Sequence, residues 1–243
     1  MLHNKKIIVS DYDGTFFLNE HDIIKNVNKV NSFRSENNLF VIATGNNLEQ
    51  FMQLILKYNI NYDYLILDQG SCIFDNQGNL LKSCFLDYNI SKTIIDEIVK
   101  AHKEYKLCNP YSDTQSIEEK NITKIAVNFI DLSEALDFTN KMNENFGKYI
   151  HAYTMIFPDI NIVEIISSQT DKNEAIKYIV NKENILKDNV YTIGDGYNDI
   201  SMIQNFNGFC MENSVDELLC KCPNRVSSVS DLIDKIMYDT LKI

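Results

Sequence analysis

No apolar run in the 243-residue chain approaches the roughly 20 residues needed to cross a bilayer. The opening MLHNKK has neither the apolar stretch nor the small-residue cleavage site of a secretory signal. A cytoplasmic protein is therefore expected. Positive charge is scarce: 23 Lys and Arg against 34 Asp and Glu leave a formal net charge of −11. That balance argues against nucleic acid or an anionic membrane as partner, because both need a basic face. An anionic substrate would have to find its positive charge locally. The cysteines Cys72, Cys84, Cys108, Cys210, Cys220 and Cys222 show no paired metal-ligand spacing, so reduced and mostly buried thiols are expected. Cys220-Lys-Cys222 is only a weak metal signal. Repeats and low-complexity linkers are also missing. What remains is a chain that is 44% hydrophobic and long enough for one large domain, or for a core with a smaller insert.

Short β-branched runs alternate with helical patterns at the start. IIV at Ile7–Val9 reads as a buried strand, HDIIKNVNKVNSFRSE as an amphipathic helix and LFVIAT as a second strand. A helix over NLEQFMQLILKY, a strand at YDYLIL and a hairpin across Ile73 to Phe85 follow. This β-α-β-α-β order favours a parallel sheet with helices on both faces, whose strands end at one ligand-binding edge. The middle breaks the pattern. A helix over SKTIIDEIVKAHKEY, extended runs at LCNPYS and ITKIAVNFI, a helix from Ser133 to about Phe146, and strands YIHAYTMI and NIVEII read as α-β-β-α-β-β. That suits an antiparallel sheet with helices on one face, a cap inserted at residues 86–162 between core segments 1–85 and 163–243. Alternation resumes with the helix TDKNEAIKYIVNKE, the strand VYTIGDG and a helix starting at NDISMIQNF.

The chemistry gathers at strand ends. In IIVSDYDGTFFL, side chains alternate along the strand, so Asp11 and Asp13 lean to one side and Tyr12 to the other. Gly14 permits a sharp turn, Thr15 can cap it, and Phe16 and Phe17 re-anchor the chain. Two such close carboxylates are tolerable when a cation sits between them or one holds a proton. An Asx turn closing a strand is the plainer reading of DYDGT alone. Three further signals weigh against it. Thr44 in VIATGNN offers a hydroxyl, and Gly45 lets amides approach a ligand at the next helix N-terminus. Lys172 in TDKNEA sits in the first turn of a helix, where a cation opposes the dipole and needs another reason to be there. Asp195 and Asp199 in GDGYND follow a strand, with Asn198 between them, and an oxygen-only set suits Mg²⁺.

DYDGT, ATG, the lysine of TDKNEA and GDGYND, in this order and spacing, resemble the motifs of the haloacid dehalogenase-like hydrolase superfamily, and GDGYNDISMI looks like its Cof-type branch. The resemblance spans nearly the whole chain and implies a Rossmann-like core with an inserted α+β cap. It departs at Asn46, where arginine is often found, and at Gln69-Gly70, where Asn-Gly is common. Both positions bear on substrate more than on chemistry.

The resemblance implies a Mg²⁺-dependent phosphatase acting on a small phosphorylated metabolite. Asp11 would attack phosphorus to form an aspartyl-phosphate, and Asp13 would serve as acid and then base, its pKa raised partly by its neighbour's charge. Mg²⁺ would lie among Asp11, the Asp13 carbonyl, Asp195 and, through water, Asp199. Thr44, Gly45, Lys172 and Asn198 would hold the phosphoryl oxygens. A phosphomutase would need cap residues gripping a bisphosphate, and the cap has no arginine. A non-catalytic phosphometabolite sensor is disfavoured by intact Asp11 and Asp13, and a dehalogenase does not need the second aspartate. His3, His21, His102 and His151 share no motif, and Glu164 reads equally as a substrate contact, a hinge residue or a buried hydrogen-bonding group. Tyr111, Asp113, Lys124, Asn128 and Tyr153 are cap positions whose inward face the sequence leaves open. Hinges are expected near Ser83–Leu86 and Ile162–Ser168, both free of proline.

Overall fold

A computed structural model describes residues 5–114 and 116–240. His3 and most of MLHNKK lie outside them. β1 (Ile7–Asp11), α1 (Glu20–Ser35), β2 (Leu39–Ala43), α2 (Leu48–Tyr58) and β3 (Tyr64–Leu67) open the chain, followed by the hairpin β4 (Cys72–Asp75) and β5 (Leu80–Ser83). A second unit comprises α3 (Tyr88–Lys100), β6 (Tyr105–Cys108), β7 (Asp113–Thr114), β8 (Lys124–Phe129), α4 (Leu132–Phe146), β9 (Ile150–Ile156) and β10 (Asn161–Ser167). The chain then continues through α5 (Lys172–Glu183), β11 (Val190–Gly194), α6 (Ile200–Asn205), β12 (Asn207–Met211), α7 (Asp216–Lys221), β13 (Arg225–Val226) and α8 (Val229–Thr240). Eight strands form one sheet in the order β13-β12-β11-β1-β2-β3-β4-β5. It is parallel from β13 to β3, and the β4–β5 hairpin adds an antiparallel edge. The other sheet, β7-β6-β8-β10-β9, is antiparallel throughout. This is the expected α/β core with an inserted antiparallel cap sheet.

Strand alternation builds the core's two layers. Ile8 packs with Phe40, Ile42 and Leu65 against Val27, Val30 and Phe33 of α1, Phe51 of α2 and Leu232 and Ile233 of α8. Its neighbours Ile7 and Val9 turn the other way, against Ile176 and Ile179 of α5, Met202 of α6 and Leu218 of α7. The first strand is therefore buried on both faces, as a central parallel strand must be. In the cap, Ile125, Val127, Val163 and Ile165 share a third cluster with Ile94 and Ile98 of α3 and Met142 of α4. The alternate positions, among them Lys124, Ala126, Ile162 and Glu164, line a cleft on the side facing the core.

Polar residues set the helix starts. Asn19 accepts from the His21 and Asp22 amides, Asn47 and Gln50 form a reciprocal capping box, and Asp171 accepts from the Glu174 amide. The expected second hinge takes a different form. Residues Ile162–Ser167 belong to β10, which pairs with β8 on one edge and β9 on the other, so bending there would break two ladders. The run between this strand and α5 is short, residues 168–171. All six cysteines are free thiols; Cys220 is exposed and Cys222 buried.

Candidate active site

The carboxyl edge of β1 is built by apolar anchors on either side of two acids. Tyr12 and Phe16 are buried, and Tyr12 meets Phe51 edge to face at 4.9 Å. With these rings fixed in the core, Asp11 and Asp13 line a cleft of about 740 Å³ between the core and the cap sheet. The Gly14 amide donates to the Phe17 carbonyl at 3.0 Å and closes the turn. Gly14 has φ +81°, and a Cβ there would collide with the Asp195 carboxylate, so the turn and the second acidic loop approach as closely as they do because position 14 has no side chain. Thr15 does not cap its own turn. Its hydroxyl crosses to donate to Asp195 Oδ1 at 2.6 Å.

Lys172 explains its unusual helical position by its partners. It is only 1% exposed, and its Nζ donates to Asp11 Oδ1 at 2.5 Å and Asp199 Oδ1 at 2.7 Å. The opposing helix dipole is outweighed by two buried carboxylates. Lys172 lies beneath these acids and is absent from the cleft lining, whereas Asp11, Asp13, Thr44, Gly45, Asp195, Asn198 and Asp199 all face it. Asp199 Oδ2 accepts from the Asp195 and Gly196 amides, both at 3.0 Å. Both of its oxygens are thus engaged by protein.

Across the cleft, Thr44 Oγ1 accepts from the Asn46 amide at 3.2 Å. The N-terminus of α2 is less open than the sequence suggests: Glu49 N donates to the Tyr111 carbonyl of the cap and Gln50 N to Asn47 Oδ1. Asn47 Nδ2 in turn donates to Asp113 at 2.7 Å. Amides of the first turn of α2 are thus engaged within the protein, and Thr44 and Gly45 line the cleft just before it. Asn46, in the place of the more usual arginine, donates to the Asp13 carboxylate.

Burial governs the acids. It holds Asp11 well above the usual carboxylate range, against the pull of Lys172. It raises Asp13 too, opposed by Lys172 and by the Asn46 hydrogen bond; burial, not the Asp11 charge, is the cause. Asp195 is pushed up to about 6 by burial, with Thr15 pulling it down. Lys172, which burial alone would lower, is raised by Asp11 and Asp199 and stays charged. Among the described residues, Asp11, Asp195 and Asp199 can each offer an oxygen within 4.8 Å of the others. A set of oxygens alone, with two carboxylates whose ionisation burial resists, fits a hard divalent cation.

The cap side holds a group that the sequence did not single out as a unit. Glu164 of β10 accepts from Lys124 Nζ at 2.8 Å, from Gln69 Nε2 at 2.9 Å and from the Tyr153 hydroxyl at 3.2 Å. Lys124 also donates to the Gly45 carbonyl and stands 3.7 Å from Asp68. Of the open cap positions, Lys124 and Asp113 line the cleft, while Tyr111 packs on Phe74 of the core at 5.8 Å. Neither Asn128 nor His21, His102 or His151 is part of the lining.

Known proteins resemble this chain over most of its length. The sequence pattern of the haloacid dehalogenase-like hydrolases matches residues 8–111 and 99–231. A protein named "Putative phosphatase" from Buchnera aphidicola subsp. Baizongia pistaciae is 26% identical, over 96% of this chain and 98% of its own. Two solved structures share the fold. One is a "putative HAD/COF-like hydrolase" from Plasmodium vivax, with TM-score 0.83 and 18% identity over 97% of this chain and 96% of that one. The other is the HAD subclass IIB sugar phosphatase BT4131, with TM-score 0.80 and 14% identity over 98% of this chain and 100% of that one. With its acids at the end of the first strand, its buried lysine and its inserted antiparallel cap, the chain belongs to the haloacid dehalogenase-like hydrolases.

Proposed function

We propose that the protein is a Mg²⁺-dependent phosphatase hydrolysing a small cytosolic phosphomonoester, such as a sugar phosphate, a nucleotide or a phosphorylated cofactor. The carrying observation is that Asp11 and Asp13 line one cleft while only Asp11 is paired with Lys172. Burial raises both acids; the Lys172 pair holds Asp11 for attack, and Asp13, outside that pair, is left for proton transfer. In the first step an Asp11 oxygen bonds to phosphorus as the bond to the leaving oxygen breaks, and Asp13 gives that oxygen its proton. In the second step Asp13 takes a proton from water, whose oxygen bonds to phosphorus as the Asp11–phosphorus bond breaks, releasing phosphate. Thr44, Gly45 and Asn198 hold the phosphoryl oxygens, and Lys172 neutralises Asp11 and Asp199 from below. Mg²⁺ would be held by Asp11, Asp195 and the Asp13 carbonyl, with Asp199 orienting this group, and would supply neutralising charge for the phosphoryl oxygens. Residues 1–85 and 168–243 serve as the hydrolase core and 86–167 as the cap, because β10 carries the cap sheet on to Ser167, past the boundary expected at 162.

The test is turnover of a phosphometabolite panel by purified protein with and without Mg²⁺. Mg²⁺-dependent phosphate release from at least one member, lost in Asp11→Asn, is expected. Clean metal binding with turnover of none would favour a sensor.

A further inference from the structure

Glu164 and Gln69 have no part in the proposed proton and phosphoryl steps, yet they join the cap to the loop carrying Asn198 through an unbroken hydrogen-bonded chain. Asn198 Nδ2 donates to Gln69 Oε1 at 2.9 Å, and Gln69 Nε2 donates to Glu164 Oε2 at 2.9 Å. Gln69 and Glu164 are both buried. The backbone at Asp68 and Gln69 is left-handed, with φ 46° and 59°, a conformation that non-glycine residues rarely adopt without external support. Gln69 also fills the space above Gly45, where a Cβ would meet its amide.

The direction of this chain follows from chemistry. An ionised carboxylate only accepts hydrogen bonds, so Gln69 must turn its NH₂ toward Glu164 and its carbonyl toward Asn198. Asn198 must then spend one amide hydrogen on Gln69. Its nitrogen carries two, so one donor remains on a residue that lines the cleft. A neutral amide at position 164 would remove this constraint, because it can donate or accept and allows both downstream amides to flip. Lys124 pairs with Glu164 at 2.8 Å. It also ties it to the Gly45 carbonyl on the opposite wall.

We propose that Glu164 is a positioning residue: acting through Gln69, the cap's carboxylate fixes the orientation of the Asn198 amide so that it presents a donor to the phosphoryl group. The proposal rests on the phosphatase reading. It makes the cap part of the phosphoryl site as well as a selector of the leaving group.

Glu164→Gln tests it. The fold is expected to survive, because Lys124 keeps Asp68 as a counter-charge at 3.7 Å. Loss of such a supporting hydrogen bond lowers activity by about 10- to 100-fold. The loss in kcat/KM is expected to be the same factor for glycerol phosphate and for larger phosphomonoesters, because Asn198 faces the transferred group. In an Asn198→Ala background, Glu164→Gln should cost less than about twofold more, since the residue it acts on is gone. A factor that varies with the leaving group, effects that multiply in the double variant, or unchanged kcat/KM in folded Glu164→Gln would each overturn the proposal. A second readout needs no turnover. The side-chain amide NMR signals of Gln69 and Asn198, assigned from Gln69→Leu and Asn198→Ala, should both move in Glu164→Gln, and unmoved signals would overturn it. Absence of turnover in the unmodified protein would instead count against the phosphatase reading.

Discussion

Replacing Lys172 with methionine removes a cation that lies within hydrogen-bonding distance of both Asp11 and Asp199, at 2.5 and 2.7 Å. Methionine fills most of the volume, so the defect is electrostatic rather than a cavity. Breaking a buried ion pair by deleting one partner costs about 3–5 kcal/mol, because the remaining charge is left uncompensated. For a chain of this length each kcal/mol moves Tm by about 2–4 °C, so a fall of roughly 6–20 °C is expected. The pH dependence has a definite sign. Asp11 already has a raised pKa in the folded protein and would be raised further without Lys172. A carboxyl with a raised folded pKa stabilises fully below its unfolded value of about 3.9, and this is lost as pH rises through the folded value. The deficit of Lys172→Met should therefore be largest at alkaline pH and shrink on acidification, as Asp11 takes up a proton. Urea unfolding followed by circular dichroism and tyrosine emission measures it, since the chain has no tryptophan. A deficit below about 1 kcal/mol with unchanged m-value, or one that grows on acidification, would refute the reasoning.

Asp13→Asn should lower kcat by about 10²- to 10⁴-fold with Mg²⁺ affinity nearly unchanged, because in the proposed mechanism the side chain moves protons and the metal contact there would be a main-chain carbonyl. Asp195→Asn should weaken Mg²⁺ binding, measured by titration calorimetry; equal loss of affinity in the two variants would reverse these assignments. With Asp195 titrating at about 6, Mg²⁺ affinity should climb through that pH and level off above it, with proton release on binding at lower pH. Gly14→Ala should also weaken Mg²⁺ binding, since the new Cβ must displace the Asp195 carboxylate.

The parts legible in the sequence were those carried by local rules. Alternation placed Asp11 apart from Tyr12, and the interrupted βαβ rhythm marked the inserted sheet. Lys172 stood out as a cation in the wrong turn of a helix, although its carboxylate partners, Asp11 and Asp199, lie 161 and 27 residues away. The end of the chain was harder. β12, NGFCM, contains a glycine and no clear alternation, and β13 has two residues; both are strands because a parallel neighbour is already in place. Asn46 was recognised as a departure, but not as a donor to Asp13, because that contact is made across a turn between different strands. The Glu164 network was hidden for the same reason. Its members, Gln69, Lys124, Tyr153, Glu164 and Asn198, are drawn from both sheets and their loops and share no local spacing.

The central claim is that Asp11 carries the phosphoryl group, and acid-quenched enzyme tests it most directly. Protein mixed with Mg²⁺ and a radiolabelled phosphomonoester from the panel is stopped within one turnover, digested and mapped by mass spectrometry. The label is expected on Asp11 in the peptide containing DYDGT, to accumulate in Asp13→Asn if release from the enzyme is slowed more than its loading, and to be missing from Asp11→Asn. Label on any other residue, or turnover at the unmodified rate in Asp11→Asn, would contradict the account.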